Sequence, residues 1–344
     1  MAQNKAAWIK TSGANPLVIE DAPIPHPGPG ELVIKNSVVA INPVDWKIQD
    51  HGRYLNKYPF ILGEDTAGTV EAVGEGVVGF QKGQRVIAHC HGLMTRDLSH
   101  SAFQNYTVVT EKLTSALPDS LSFAQGAVLP LAISTASAGL FQKDTLNLLL
   151  PSATSKIETD NEKTVLIWGG ASSVGASAIQ LAVAAGAKVI TTASAQNHDL
   201  VKSIGAQIVI DYKSPNVVEE VANTIRGSQF AGVFDAISET RSFETVLKVL
   251  ENLDVFPRVA SVLPYDKPTE KFSPKYVTAF TIIQEPNEYV GEAVWKKLVP
   301  EGLANGKLQA KPEPYIVGYG LEDLQKALDI QRKGVSAKKV VVTL

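Results

Sequence analysis

From residue 163 onward, short runs that are apolar at nearly every position alternate with longer stretches carrying helical patterning. TVLIW, AKVITTAS, QIVIDY (207–212), GVFDAI (232–237) and PRVASVL (257–263) read as strands. Between the first two, ASAIQLAVAAGA predicts a mostly apolar helix that stops near Gly186, which suits a left-handed cap. A second helix ends near Gly205, and Ser214-Pro215 opens a third, VVEEVANTIR, with a capping residue and a first-turn proline. Apolar strands alternating with helices predict a parallel sheet covered on both faces, a doubly wound α/β domain.

The first 130 or so residues have another rhythm, with short apolar runs punctuated by Gly and Pro. PIPHPGPG (23–30) is turn-rich, and ELVIKNSVVAI (31–41) is a β-branched strand. GTVEAVGEGVVGFQKGQRVIA (68–88) holds two more strands between glycine turns. This half predicts a β-rich domain, a partly closed barrel. Residues 143–164 read as a linker or loop insertion, and the tail GLEDLQKALDIQRKGVSAKKVVVTL as helix, turn and final strand. Such a strand often returns to the first domain, although composition does not place it.

Composition narrows the function classes. A chain of 344 residues fits two domains, with 44% apolar and 19% charged residues. A net charge of −3 offers no basic field for a polyanion, which argues against nucleic acid. Cys90 is the single cysteine, so an intrachain disulfide and a four-cysteine metal site are both excluded. The N-terminus is too polar for a signal peptide, and apolar runs such as VLPLAI fall short of a membrane span. The expectation is a soluble cytoplasmic protein with no membrane partner.

The chemistry concentrates at the turn after TVLIW, where Gly169, Gly170, Ser172, Ser173, Val174 and Gly175 lead into the first helix. A strand running into a helix through small residues aims backbone N–H groups and the helix dipole at one spot, which favours a phosphate. A nucleophile elbow, G-x-S-x-G, shares this context, but Val174 stands where its last glycine belongs. A close-packed turn without a ligand is the plain alternative. At the next strand end an NAD site carries Asp or Glu for the adenosine ribose. Here Ala193 and Ser194 stand there, followed by Gln196 and Asn197, and the first carboxylate is Asp199. Neutral hydrogen-bonding groups predict NADPH.

INPVDWK (41–47), LGEDTAGTVEAVGEGVVGFQKGQRV (62–86), SAFQNYTVV (101–109), LPLAISTASAGL (129–140), the glycine-serine turn and GLEDLQKAL (320–328) occur in one order along the chain. In this the sequence resembles the medium-chain dehydrogenase/reductase superfamily, within it the zinc-free quinone/enoyl reductase branch, and most of all fungal trans-acting enoyl reductases. The resemblance implies a GroES-like catalytic domain over residues 1–128 and 293–344 and a Rossmann NADPH-binding domain over 129–292.

It also implies site residues. Lys47 matches a lysine beside cofactor and substrate, and Tyr54 lies near a proton-donating tyrosine, one residue out of step. Val44 and Asp45 fall in the cofactor loop, which Asp45 and Asn42 shape. Thr135 corresponds to the nicotinamide end, Tyr212 to the adenosine phosphate, and Leu263 closes the cofactor set. Surface or packing roles for Lys47, Tyr54 and Tyr212 remain open.

Where zinc alcohol dehydrogenases have a G-H-E motif, this chain has Gly63-Glu64-Asp65, and Asp45 stands near the early cysteine. The four-cysteine lobe is missing. His89 and His91 flank Cys90, but no third ligand is in view, so no metal is expected. Without a Lewis acid, hydride addition to an activated C=C needs less help than reduction of a simple ketone. The implied activity is NADPH-dependent reduction of an α,β-unsaturated carbonyl, free or as a thioester on a polyketide synthase partner. Aldehyde or quinone reduction and non-catalytic NADPH binding are alternatives. Loops near 94–104, 130–140 and 264–285 should shape the pocket, and both monomer and homodimer are open.

Overall fold

The computed structural model describes residues 3–153 and 163–344. Residues 154–162 of the expected linker lie outside the described residues. The remainder is no loose tether: Leu146 and Leu148 are buried, and Leu148 N–H donates to the Leu140 carbonyl at 2.9 Å. The chain divides into two compact units, residues 1–131 with 310–344, and residues 132–309.

In the second unit six parallel strands form one sheet: β1 (Lys163–Trp168), β2 (Lys188–Thr192), β3 (Ile208–Ile210), β4 (Gln229–Asp235), β5 (Val259–Ser261) and β6 (Lys275–Tyr276). Their spatial order is β3-β2-β1-β4-β5-β6. That is the doubly wound order, which reverses direction between β1 and β4 and opens a crevice outside the carboxyl ends of the strands. Continuous burial of β1 follows from helices covering both faces, and Leu166, Trp168, Ile190, Val233, Phe243, Val246 and Leu250 share one core. The helix Thr240–Leu253 buries Phe243, Val246, Val249 and Leu250, a stripe at helical spacing. The third helix spans Val217–Ile225 with Asn216 as its capping residue. Pro215 therefore precedes the helix instead of opening it, and Ser214 Oγ accepts the Asn216 N–H at 3.2 Å.

Residues 293–309, which the sequence reading placed with the first unit, cluster with the second. The reason lies in side chains that no local pattern assigns: Val294, Trp295 and Leu298 are buried, and Trp295 Nε1 donates to Ser134 Oγ at 3.0 Å.

The first unit carries a seven-stranded sheet. Along it run Glu313–Tyr319, Lys338–Thr343, Glu31–Ala40, Asp65–Val73, Arg85–His89 and Thr114–Ala116, with Tyr106–Thr110 also pairing to Glu31–Ala40. The tail strand Lys338–Thr343 thus returns to the first unit, antiparallel to Glu31–Ala40. A smaller antiparallel sheet joins Val18–Ala22, Asn4–Ile9 and Phe60–Ile61. Leu32, Ile34, Val70, Val86, Phe103, Leu328 and Val340 lie in the common core. The helical run Phe123–Phe141 is long and apolar enough to cross a membrane, longer than the sequence runs suggested, but 72% of its apolar window is buried inside the protein.

Candidate active site

The turn after β1 is built for close approach. Ser172 caps the helix Ser173–Ala184, its Oγ accepting the Gly175 N–H at 3.0 Å. Gly169 has φ +82°, and a Cβ on Gly170 would meet Thr191 Oγ1 at 2.1 Å. A Cβ on Gly175 would stand 2.2 Å from the Gly169 carbonyl oxygen. Helix geometry leaves the N–H groups of Ser173 and Val174 without an intrahelical acceptor, which together with the dipole makes an anion cradle. The residue types here fit the diphosphate of a dinucleotide.

Because the strands are parallel, the segments after β1, β2, β3 and β5 emerge at one edge of the sheet. That edge gathers Gly170, Ser172, Ser173, Val174 and Gly175 with Ser194, Gln196, Asn197, Tyr212 and Leu263. After β2, Ser194 is buried and its Oγ accepts from Asn197 Nδ2 at 3.0 Å, while Gln196 is exposed. Tyr212 is 36% exposed beyond β3, and Leu263 is half-buried beyond β5. Thr135 sits separately on the helix Pro130–Phe141, with its side chain mostly buried.

Sequence reasoning missed Asp235, at the carboxyl end of β4 beside the crevice. Its Oδ1 accepts the N–H groups of Ile237 and Ser238 at 3.0 and 2.8 Å, and its Oδ2 accepts from Ser242 Oγ at 2.7 Å. Burial raises its pKa against these hydrogen bonds. The bonds hold Ser238 at φ +53°, and Ser238 Oγ in turn takes the Val262 N–H at 2.9 Å. Asp235 thereby fixes two neighbouring loops of the cofactor edge.

In the first unit, Val44, Asp45 and Lys47 lie on one helix, Pro43–His51. Val44 and Lys47, three apart, share a half-buried face, and the Lys47 ammonium stands 5.6 Å from the Trp46 ring centroid. Tyr54 follows the helix end, 43% exposed, with φ +67°. Asp45 turns inward. One of its oxygens accepts the Asn42 N–H at 2.8 Å and the other the Gly63 N–H at 3.2 Å, tying the helix start to the turn before Glu64.

Around Asp45 lies a buried polar cluster that no sequence pattern announced. Lys339 Nζ reaches Asp65 Oδ2 at 2.9 Å and also donates to Asn42 Oδ1. Asp65 accepts in addition from Asn42 Nδ2 at 2.8 Å and from the Leu131 N–H at 2.6 Å. Glu64 and His89 face each other at 3.6 Å. Burial drives the ionisation of this cluster. It pushes Asp45 up to about 7 and holds His89 down at about 3, and Glu64 rises through burial and then repulsion from Asp45 and Asp65. Cys90 rises for the same reason, so its thiol is no ready nucleophile.

Asp45 binds a proton more tightly folded than unfolded, so between about pH 4 and about 7 the folded chain holds a proton that the unfolded chain has lost. Its contribution to stability is therefore full at low pH and is lost as pH rises towards 7. Asp45→Asn removes that dependence. Relative to the unsubstituted protein, the variant should gain stability from pH 4 to pH 8, by up to about 4 kcal/mol. Urea unfolding at the two pH values measures the difference, and a constant offset would show that the carboxyl ionises as it does in water.

Two family models match the chain: the alcohol dehydrogenase GroES-like domain over residues 28–119 and the zinc-binding dehydrogenase over 173–284. The trans-enoyl reductase himH of Aspergillus japonicus is 43% identical over 99% of this chain and 97% of its own length. The chain belongs to the medium-chain dehydrogenase/reductase superfamily. The dehydrogenase azaJ of Aspergillus niger is likewise 43% identical, over the whole of both chains. Among solved structures, a quinone oxidoreductase of Pseudomonas syringae pv. Tomato DC3000 is 25% identical with a TM-score of 0.71, covering 99% of this chain and all of its own. The CurK enoyl reductase, 20% identical with a TM-score of 0.74 and 99% of both chains covered, shares the fold. This superfamily member is an oxidoreductase, and its family and Rossmann-type unit imply a pyridine-nucleotide cofactor.

The second model's description makes zinc the other group to consider. A catalytic zinc requires about three protein ligands and an open position. Where the superfamily member brings donors together, Asp45 gives both oxygens to backbone N–H groups and Asp65 accepts from Lys339, Asn42 and Leu131. Glu64, His89 and Cys90 remain, but among the described residues no three donors of this cluster bring ligand atoms within 4.8 Å of one another, so it does not fit a catalytic zinc.

Proposed function

We propose that the protein is an NADPH-dependent, zinc-independent reductase of activated C=C bonds in α,β-unsaturated carbonyl compounds, enones or enoyl thioesters. The observation that carries the cofactor choice is the end of β2, where buried Ser194, held by Asn197, stands in place of an acidic residue. No carboxylate at that point repels a 2′-phosphate, and the hydroxyl and amides offer neutral hydrogen bonds to it. The committed carboxylates around Asp45 support chemistry without a Lewis acid. The names of relatives such as himH, a trans-enoyl reductase, support the substrate class. A carrier-bound thioester on a polyketide synthase belongs to that class.

The reduced nicotinamide, when bound, supplies a hydride to the substrate β-carbon. Lys47 donates a hydrogen bond to the carbonyl oxygen as negative charge grows on it. Tyr54 supplies the proton to the α-carbon. Its φ of +67°, a conformation that costs a non-glycine residue about 1–3 kcal/mol, supports a position imposed for a purpose. Val44 lines the same helix face as Lys47, while Asp45 fixes where that helix starts. Thr135, Tyr212 and Leu263 complete the cofactor contacts in this reading.

The decisive experiment follows NADPH oxidation with enones, enoyl thioesters, quinones and aldehydes, with and without a chelator. Enone or enoyl turnover unchanged by chelator is expected, and Lys47→Met and Tyr54→Phe should each lower kcat by roughly 100-fold, in the range of general acid catalysis. Turnover confined to aldehydes or quinones, or lost on chelation, would overturn the reading. Ser194→Asp should lower kcat/KM for NADPH at least about tenfold while that for NADH holds or rises, because the new carboxylate repels the 2′-phosphate. An unchanged cofactor ratio would place the discrimination elsewhere.

A further inference from the structure

We propose that Glu31, His91 and His100 form a binding site for a divalent transition ion of zinc type, separate from the cluster around Asp45. One ligand atom from each of the three lies within 4.8 Å of the others. Glu31 opens the strand Glu31–Ala40, His91 follows the strand Arg85–His89, and His100 closes the turn Leu98–His100. The fold thus brings together ligands that are up to about 70 positions apart in the chain.

Glu31 and His100 are already oriented. Glu31 Oε2 accepts the Gly28 N–H at 2.8 Å, while its Oε1 faces His100 Nε2 at 3.1 Å. His100 Nδ1 lies 2.8 Å from Thr95 Oγ1, which fixes the ring so that Nε2 points at the carboxylate. Backbone and hydroxyl partners of this kind are what orient metal ligands. The His91 ring stacks on that of His100, with centroids 4.2 Å apart and planes at 17°. His91 is 4% exposed, and its Nδ1 is buried with no hydrogen-bond partner. A buried ring nitrogen of that kind is expected to have a partner, and an ion supplies one to its deprotonated form.

Two imidazoles and a carboxylate suit a borderline ion such as Zn²⁺ and leave a fourth position for water. A hard ion would want more oxygens. Bond lengths of about 2.0–2.2 Å set ligand atoms about 3.3 Å apart; Glu31 Oε1 and His100 Nε2, at 3.1 Å, already stand near that spacing, and rotation of the His91 side chain brings in the third. Glu31 is only half-buried, so the site opens to solvent on that side. An ion held here ties residues 91–100 to the strand at Glu31 and braces the cavity wall formed by Thr95, Arg96, Asp97 and Leu98.

The test uses the full chain, stripped with chelator and titrated calorimetrically with Zn²⁺, and with Co²⁺ followed by visible absorption. One equivalent is expected, with a Co²⁺ spectrum typical of low-symmetry nitrogen and oxygen coordination. His91→Gln, His100→Gln and Glu31→Gln should each weaken binding by more than roughly 100-fold, beyond the loss from removing an outer-shell partner. Thr95→Val should weaken it by about tenfold. X-ray absorption of the zinc-loaded unsubstituted protein needs no variant to fold and should show two imidazoles and no sulfur. Absence of saturable binding, binding that survives His91→Gln and His100→Gln, or a sulfur ligand from Cys90 would each overturn the site.

Discussion

Lys339→Met should cost the protein about 3–5 kcal/mol of unfolding free energy, the loss seen when one partner of a buried ion pair is removed. Lys339 is 4% exposed and Asp65 is fully buried, so water does not replace the ammonium when it is gone. The remaining donors to Asp65, Asn42 Nδ2 and the Leu131 N–H, are neutral and do not balance its charge. The loss spreads because Lys339 also donates to Asn42, the residue at which the Lys47 helix begins. Urea unfolding monitored by circular dichroism measures it. The double variant Lys339→Met, Asp65→Asn should recover most of the loss, since it leaves no buried charge. A loss below about 1 kcal/mol would mean that the pair is screened like one on the surface.

Gly175→Val should abolish useful cofactor binding, raising the NADPH Kd by roughly 100-fold or more, as a displacement of about 1 Å in a positioning element does. The substitution meets backbone on two sides: the Gly169 carbonyl oxygen at 2.2 Å and the Gly170 Cα at 2.8 Å from the added Cβ. Neither atom can rotate away as a side chain would. The helix Ser173–Ala184 must then move off the turn, carrying its N–H groups with it. Fluorescence titration with NADPH, beside a thermal melt that reports folding, separates lost binding from lost structure. Gly175→Ala should show the same effect in weaker form, and an alanine variant that binds NADPH within about threefold of the original would refute the cradle.

What the chain disclosed in advance depended on sequence distance. The strands β1 to β5 and the turn at Gly169–Gly175 are local, each set by a handful of adjacent residues. Their periodicity and small side chains could be read directly. The pairing of Lys339 with Asn42 joins residues 297 positions apart, and the second lysine of the pair ahead of VVVT carries no sign of its partner. Glu31 and His100 stayed hidden in the same way, so His89 and His91 showed no third ligand. Asp235 was legible only as one polar residue within the strand GVFDAI, and its hold on Ser238 depends on a left-handed backbone no pattern encodes. The different grouping of residues 293–309 has a similar cause, because amphipathic spacing says that Val294 and Leu298 are buried but not against what.

The return of Lys338–Thr343 to the sheet begun by Glu31–Ala40 sets a schedule for synthesis. The ribosome emits residues 132–309 as one uninterrupted piece, while the first unit waits for a strand that comes after all of them. Until that strand emerges, Asp65 has no counter-ion and the edge of Glu31–Ala40 that will receive it has unpaired backbone groups. The nascent chain therefore carries an open sheet edge while all of residues 132–309 are made, which makes this interval the one in which a chaperone would matter most.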